Sequence, residues 1–302
     1  MEDYAVNQKD FVEYLQIEKN ASPYTIKYYL NDLETLHLFL QRENVESFQE
    51  VDHHVVRLFL AYLYEQKLSR RTVSRQISSL RSFYRFLERQ GNVSNNPFQQ
   101  INLPKTSKTI PGFLYTEELD KLFAVNDVTD PLGQRNQAIL ETLYATGIRV
   151  SECVGLQLHD VDFAIGTMLV TGKGRKERYV PFGSYAEMAL ETYIQDGRGK
   201  LAGKTSQPTN DLFLNFRGQP LTARGIRMIL DKMVEKAALT VHVHPHKLRH
   251  TFATHMLNEG ADLRTVQELL GHENLSSTQI YTHVTKDHLR SVYLKAHPRA
   301  ND

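Results

Sequence analysis

Apolar residues recur every three or four positions through the N-terminal third of the chain, which is the spacing of amphipathic helices. Ser22 followed by Pro23 predicts a helix start, because serine caps the free N–H groups and proline fits the first turn. Gly91 predicts the end of the last helix in this region. The pattern therefore predicts a bundle of four helices, around residues 11–15, 26–40, 55–66 and 69–91.

The helical period fails between Asn92 and Phe113, where asparagine, proline, glycine and lysine are typical of turns and linkers. We place a domain boundary near Lys105, which gives an N-terminal domain of residues 1–104 and a C-terminal domain of residues 105–302. Helical patterns resume beyond this boundary. They predict helices from Thr116 and over residues 131–145, 150–156, 186–195, 223–238, 245–259, 263–270, 277–283 and 287–295.

Three short stretches interrupt the helical pattern of the C-terminal domain, at residues 161–163, 167–171 and 178–181. They are rich in β-branched or alternating residues, and glycines at 166, 172 and 174 separate them. Such spacing is typical of strands joined by tight turns. The sequence therefore predicts a mainly α protein with one small antiparallel β-sheet.

The composition is that of an ordinary two-domain protein. The 302 residues are 41% hydrophobic and 24% charged, which suffices for a substantial core. The one cysteine, Cys153, has no partner in the chain for a disulfide, and the N-terminus lacks the pattern of a secretory signal. No apolar run reaches the length of a membrane-spanning helix. These features favour a cytoplasmic location.

The net charge of +1 conceals two regions of opposite sign. The first 56 residues carry 4 basic and 11 acidic side chains, whereas residues 57–89 carry 8 basic and 2 acidic ones. A local positive excess attracts phosphate even when the whole chain is near neutral. Arginines at close to helical spacing make the fourth helix a candidate DNA-binding face, although most charge runs are only solvated surface. The candidate contacts are Arg70, Arg71, Arg75, Arg81 and Arg85.

Residue types suited to phosphodiester chemistry follow one another along the C-terminal half. Two arginines can clamp the non-bridging oxygens of a phosphate, because a guanidinium stays ionised and presents a planar fork of donors. Histidine titrates near neutral pH and suits proton transfer. The candidates, with their local sequences, are Arg149 (TGIRVSE), Lys173 (TGKGRK), His246 and Arg249 (HKLRH), His272 (LLGHE) and Tyr281 (IYTH).

Local context supports some of these candidates more than others. Arg149 directly follows a helix stop at Gly147, and Glu152 lies one turn later, suited to pair with it and orient it. Lys173 lies in a glycine-flanked turn, where Arg175 and Lys176 are close competitors.

This ordered series resembles the tyrosine recombinase (phage-integrase-like) family over nearly the whole chain, in particular its Xer branch. The resemblance implies a four-helix core-binding (SAM-like) domain followed by a catalytic domain. It also assigns roles: Tyr281 would attack to form a 3′-phosphotyrosyl bond, and Lys173 would protonate the departing 5′-oxygen. Arg149 and Arg249 would hold the phosphate, with His246 in proton transfer and His272 as a hydrogen-bond donor.

The reaction implied by the resemblance is site-specific DNA recombination through a Holliday junction, without metal, nucleotide or other cofactor. Its implied purpose is resolution of chromosome dimers at cell division, in chromosome partition. The implied partners are a double-stranded recombination site, further protomers in a tetrameric synaptic complex, a second Xer-type recombinase (XerD-like) and a septal DNA translocase. Residues 287–295 would dock on a neighbouring protomer, or else pack on their own domain.

Three other interpretations remain open at this point. A phage or mobile-element integrase would share the same motifs, although no additional arm-binding domain precedes the first helices. A DNA-binding protein could keep the clamp and lose the chemistry. Five histidines suggest zinc and a metal-dependent hydrolase, but no carboxylate or thiol completes the set: His242, His244, His246, His250 and His255.

Overall fold

Four helices form the described part of the N-terminal unit, which spans Met1–Thr109. In the computed structural model the described residues are 2–101, 112–172, 174, 176–271 and 283–300, with the backbone alone described at 2–3 and 283–287. The helices are α1 (Glu2–Ile17), α2 (Pro23–Arg42), α3 (His53–Glu65) and α4 (Arg70–Arg89). The predicted four-helix bundle is confirmed.

Side-chain caps fix where three of these helices begin. Ser22, Asp52 and Ser69 each accept a hydrogen bond from the backbone N–H three residues later, at 3.2, 2.9 and 3.1 Å. Aromatic rings fill the core that the helices enclose. Phe11 meets Phe83 edge to face with their centroids 5.1 Å apart, and both are fully buried.

The second unit, Ile110–Asp302, is mostly helical. One helical segment is longer than predicted, because the helix at Ser184–Thr192 continues through a π-helical turn at Tyr193–Gly197 into the helix at Arg198–Ala202. Its described helices are α5 (Thr116–Ala124), α6 (Pro131–Thr146), α7 (Val150–Val154), α8 (Ser184–Thr192), α9 (Arg198–Ala202), α10 (Ala223–Lys236), α11 (Pro245–Asn258), α12 (Leu263–Leu270) and α13 (His283–Ala296).

The predicted antiparallel sheet is also confirmed. Its strands are β1 (Val161–Asp162), β2 (Thr167–Thr171) and β3 (Glu177–Pro181), in the spatial order β1-β2-β3. Met168 pairs with Val180 and Val170 with Arg178. Because residues two apart share a face of a strand, Arg178 lies on the same face as the buried Val180.

Helix α13 packs on its own unit. Tyr293 is fully buried and Leu289 nearly so, in a cluster with Phe252 and Met256 of α11 and with residues of α12. The apolar side of this helix therefore does not need a neighbouring protomer to cover it, and the structure of the single chain favours packing on the same domain. The helix predicted at 277–283 lies outside the described residues, apart from His283 itself.

The predicted domain boundary between residues 104 and 105 also lies outside the described residues. Within the described part of the chain, none of the helices has both the length and the apolar character needed to cross a membrane.

Candidate active site

Arg149 lies in the short connection between α6 and α7. Helix α6 ends at Gly147, whose left-handed backbone (φ 60°) lets the chain turn sharply. Arg149 is then the first residue before α7, where its backbone N–H donates to Glu152 at 2.7 Å. Its guanidinium donates to the same carboxylate at 2.8 Å and is 39% exposed. The predicted pairing of Arg149 with Glu152 is confirmed.

Arg249 comes from α11 and is almost completely buried. Its guanidinium donates to the backbone carbonyls of Gly147 and Leu270, both at 2.6 Å. Burial, and next the charge of Arg149, lower the pKa of Arg249 to about 10, so the group is still cationic at neutral pH. Among the described residues no carboxylate is bonded to Arg249, and a buried cation of this kind favours an anionic ligand.

Arg178 is a part of this site that the sequence reasoning missed. Its guanidinium donates to both oxygens of Glu152, at 3.0 and 2.9 Å, and its Nε–H donates to the carbonyl of Leu269 at 3.2 Å. The feature that could have indicated Arg178 is its place on the inward face of β3, where it pairs with the buried Val170. From the sequence pattern, residue 178 is recognisable only as the start of a strand.

The three guanidiniums converge on the C-terminal end of α12. Arg178, Arg249 and Arg149 donate in turn to the carbonyls of Leu269, Leu270 and Gly271, the last at 3.4 Å. Helix C-termini carry partial negative charge, which these cations stabilise. The guanidiniums thereby fix the point from which the chain leads to residue 272.

One carboxylate balances only part of this positive charge. Burial alone raises the pKa of Glu152, but hydrogen bonds from Arg178 and Arg149 outweigh burial and hold that pKa below its usual value. Glu152 is therefore ionised at neutral pH. Among the described residues, three guanidiniums lie against this one bonded carboxylate, which leaves a local excess of positive charge beside the exposed part of Arg149, the electrostatic setting of a phosphate site.

The histidines of this region lie on and before α11. His246 is exposed in the first turn of α11, one turn before Arg249. His244 caps that helix, since its Nδ1 accepts the backbone N–H of Lys247 at 3.1 Å. His255 bonds through Nδ1 to the hydroxyl of Tyr144 at 2.8 Å. Among the described residues, no three His, Cys, Asp or Glu side chains are arranged to hold a metal ion.

Half of the predicted catalytic set can be placed. Arg149 and Arg249 share one site, and His246 is on the helix of Arg249. Lys173, His272 and Tyr281 lie outside the described residues. The residues beside them are described: Gly172 donates its N–H to the carbonyl of Lys176 at 2.7 Å, and Gly271 ends α12 in a left-handed conformation (φ 66°).

The candidate DNA-binding arginines of α4 divide into two groups. Arg75 donates to the buried carboxylate of Asp32, with one bond of 2.8 Å, and Arg81 donates to the carbonyls of Phe98 and Ile101 at 3.1 and 3.2 Å. Those two guanidiniums are therefore occupied within the N-terminal unit. Arg70, Arg71 and Arg85 are exposed, and so is Arg75, whose side chain is 41% exposed although its guanidinium is bonded to Asp32.

Comparison with known proteins agrees with this geometry. The profile described as "Phage integrase family" matches residues 112–288, and the one described as "Phage integrase, N-terminal SAM-like domain" matches residues 9–91. The chain belongs to the phage integrase family. Cleavage and rejoining of DNA is the reaction of this family of tyrosine recombinases.

Two relatives and one solved structure show which members of the family this chain is similar to. The tyrosine recombinase XerC of Oceanobacillus iheyensis is 72% identical over 291 residues, which cover 96% of this chain and 95% of that protein. The XerC of Bacillus subtilis is 58% identical over 292 residues, covering 97% and 96%. The XerH recombinase bound to a palindromic difH substrate, a post-cleavage complex, has 26% identity and a TM-score of 0.69, covering 91% and 81%. The resemblance to the Xer branch and the predicted fold class are thereby confirmed.

Proposed function

We propose that this tyrosine recombinase exchanges strands between two specific DNA sites to resolve chromosome dimers, in chromosome partition at cell division. The observation that carries the proposal is the cluster of Arg149, Arg178 and Arg249, in which Glu152 is the one described carboxylate that bonds to these guanidiniums, through Arg149 and Arg178. Such a cluster suits a phosphodiester whose non-bridging oxygens gain charge as the bond is attacked. The relatives that share this chain's length carry the name XerC.

The arginines act on the phosphate. Arg149 presents a partly exposed guanidinium, and the buried Arg249 adds a second cation, whose hydrogen bonds to described residues go to backbone carbonyls. One preorganised donor at a developing oxyanion is worth about 3–4 kcal/mol, so two guanidiniums supply a large share of the stabilisation.

Tyr281 is the proposed nucleophile. A tyrosine hydroxyl has a pKa of about 10, so forming the phenolate at neutral pH costs about 4 kcal/mol without assistance. Nearby cations offset this cost, and His246 accepts the proton of the hydroxyl. His272 donates a hydrogen bond to a non-bridging oxygen. The three guanidiniums at the end of α12 support this role, because they fix the residue that precedes His272.

Lys173 is the proposed general acid that protonates the departing 5′-oxygen. The position of the hairpin between β2 and β3 supports it, since Arg178 ties the start of β3 to Glu152 and so to Arg149. The phosphotyrosyl bond conserves the energy of the broken phosphodiester. The reverse attack by a 5′-hydroxyl then rejoins the strand, first within a Holliday junction and then in the recombinant product.

The remaining parts of the proposal concern domains and partners. Residues 1–104 form the core-binding domain, with Arg70, Arg71 and Arg85 on phosphates, and residues 105–302 form the catalytic domain. The protein acts in the cytoplasm as part of a tetramer on two DNA sites. A second Xer-type recombinase (XerD-like) occupies half of that tetramer, and a septal DNA translocase brings the sites together.

A two-stage experiment tests this function. Genomic DNA fragments that the protein binds are selected first, and the shared site is then placed twice, in direct repeat, on a supercoiled plasmid. We expect the protein with its paired recombinase to convert the plasmid into two circles in buffer that contains EDTA. Stable binding to the selected site without exchange of strands would favour a DNA-binding protein that lacks the chemistry.

A further inference from the structure

Arg178 joins three segments that each lead to a proposed catalytic residue. It lies on β3, just after the hairpin that contains Lys173, and it bonds the carboxylate that orients Arg149. It also bonds the carbonyl of Leu269, three residues before His272. We propose that Arg178 is a positioning residue for strand cleavage. This inference rests on the proposed function and names a residue that acts through Glu152 and the end of α12, without touching the DNA.

The geometry of Glu152 supports this role. Its carboxylate is 3% exposed and is shared, since Arg149 reaches it through a backbone N–H and a guanidinium N–H while Arg178 reaches both oxygens. Without Arg178 the buried carboxylate would keep Arg149 as its remaining bonded cation. Its full charge would then hold Arg149 more strongly and draw it away from a bound phosphate.

The end of α12 depends on the same guanidinium. A Cβ added at Gly271 would lie 3.1 Å from Cζ and from Nε of Arg178, so the glycine rests directly against the guanidinium plane. Arg178 also donates a hydrogen bond to the carbonyl of Leu269. Loss of the guanidinium would open space beside Gly271 and remove the bond from Arg178 to the carbonyl of Leu269, just where the chain enters the segment that carries His272.

Arginine is required here because three bonds diverge from one planar group. A lysine at position 178 would keep the charge but could not span both oxygens of Glu152 and reach Leu269 together. The arrangement therefore predicts that charge alone restores only part of the function, which distinguishes positioning from a general electrostatic effect.

The test compares Arg178→Gln and Arg178→Lys with wild-type protein on a nicked suicide substrate that traps the covalent adduct. A displacement of about 1 Å at a reacting group costs about 100-fold in rate, and we expect a loss of that order for Arg178→Gln. Arg178→Lys should recover part of it, and both variants should keep wild-type DNA affinity. Arg290→Gln is the matched control, because Arg290 and Arg178 line one surface pocket beside β3 and this substitution removes the same charge.

A double-mutant cycle with Glu152→Gln separates positioning from structural support. If Arg178 acts through Glu152, Arg178→Gln should cost much less in the Glu152→Gln background than in wild-type protein. Additive losses, a fall in DNA affinity that matches the fall in rate, or a wild-type rate for Arg178→Gln would each overturn the inference. If Arg178→Gln does not fold, Arg178→Lys enters the same cycle. A wild-type protein that forms no adduct would refute the proposed function itself, whatever Arg178 does.

Discussion

The ring of Phe252 lies so close to Gly147 that a Cβ added at the glycine would be 2.4 Å from ring atom Cδ1. This contact brings α11, which carries Arg249, against the turn that precedes Arg149. Gly147 also has a positive φ, which side chains other than that of glycine rarely adopt. Both the backbone conformation and the space beside Phe252 therefore require glycine at this position.

We therefore predict that Gly147→Ala destabilises the protein by about 2–4 kcal/mol and greatly slows adduct formation. Gly155→Ala is the matched control, because Gly155 ends α7 with a right-handed backbone and its added Cβ would make ordinary contacts at 3.5 Å. Thermal unfolding of the two variants checks the difference. Equal stability of both would show that the contact with Phe252 relaxes easily.

The two groups of arginines on α4 should behave differently. Arg71→Gln with Arg85→Gln removes two exposed charges, so binding to all DNA sequences should weaken and the slope of log K against log salt should become shallower by about 1.8. Fold stability should not change. Titrations at several salt concentrations measure the slope, and an unaltered slope would mean that this face is merely solvated.

Arg75→Gln is the opposite case and serves as the comparison. This substitution removes the bonds from Arg75 to the buried carboxylate of Asp32. Among the described residues, Ser79 then remains as a side-chain donor to that carboxylate, so we expect a loss of about 1–3 kcal/mol in the free energy of unfolding. The salt slope should stay at the wild-type value if Arg75 does not contact phosphate. A shallower slope at wild-type stability would place Arg75 on the DNA instead.

His297 predicts how stability depends on pH. Burial lowers the pKa of His297 to about 3, and the neutral ring accepts the N–H of Arg299 at Nδ1 while its Nε2–H donates to the carbonyl of Tyr144. Below pH 6.5 the imidazole of His297 binds a proton in the unfolded chain but stays neutral in the folded protein. The stability contributed by the neutral ring is therefore present above pH 6.5 and is lost as the pH falls towards 3.

Each pH unit in that window costs about 1.4 kcal/mol. Between pH 7 and pH 5, the stability lost by His297→Gln should therefore be about 2 kcal/mol smaller than that lost by wild-type protein. Urea unfolding at the two pH values measures this, and equal losses would show that His297 does not set the dependence.

Helix α13 gives a prediction about the single chain. Tyr293 is fully buried within its own unit, so Tyr293→Ala should cost about 3–5 kcal/mol in a monomer. Lys295→Ala, on the exposed side of the same helix, should have little effect. A small loss at Tyr293 would indicate that the helix leaves this position in solution and that its apolar side serves another surface.

Periodicity and caps were enough to predict the helices and the sheet, because those signals are local. The pairing of Arg149 with Glu152 was also local, at three residues apart. Arg178 was missed because its partners are 26 and 91 residues away, and only the folded sheet brings them together. Spacing on α4 likewise did not show that Arg75 and Arg81 bond within their own unit, since Asp32 and Phe98 come from distant segments.

Identifying the residue that becomes attached to DNA tests the central claim most directly. The protein is incubated in EDTA with a nicked suicide substrate carrying its selected site, digested with a protease, and the DNA-linked peptide is sequenced by mass spectrometry. We predict that the linked residue is Tyr281 and that Tyr281→Phe binds the site but forms no adduct. Attachment at another residue, or an adduct from Tyr281→Phe, would contradict the account.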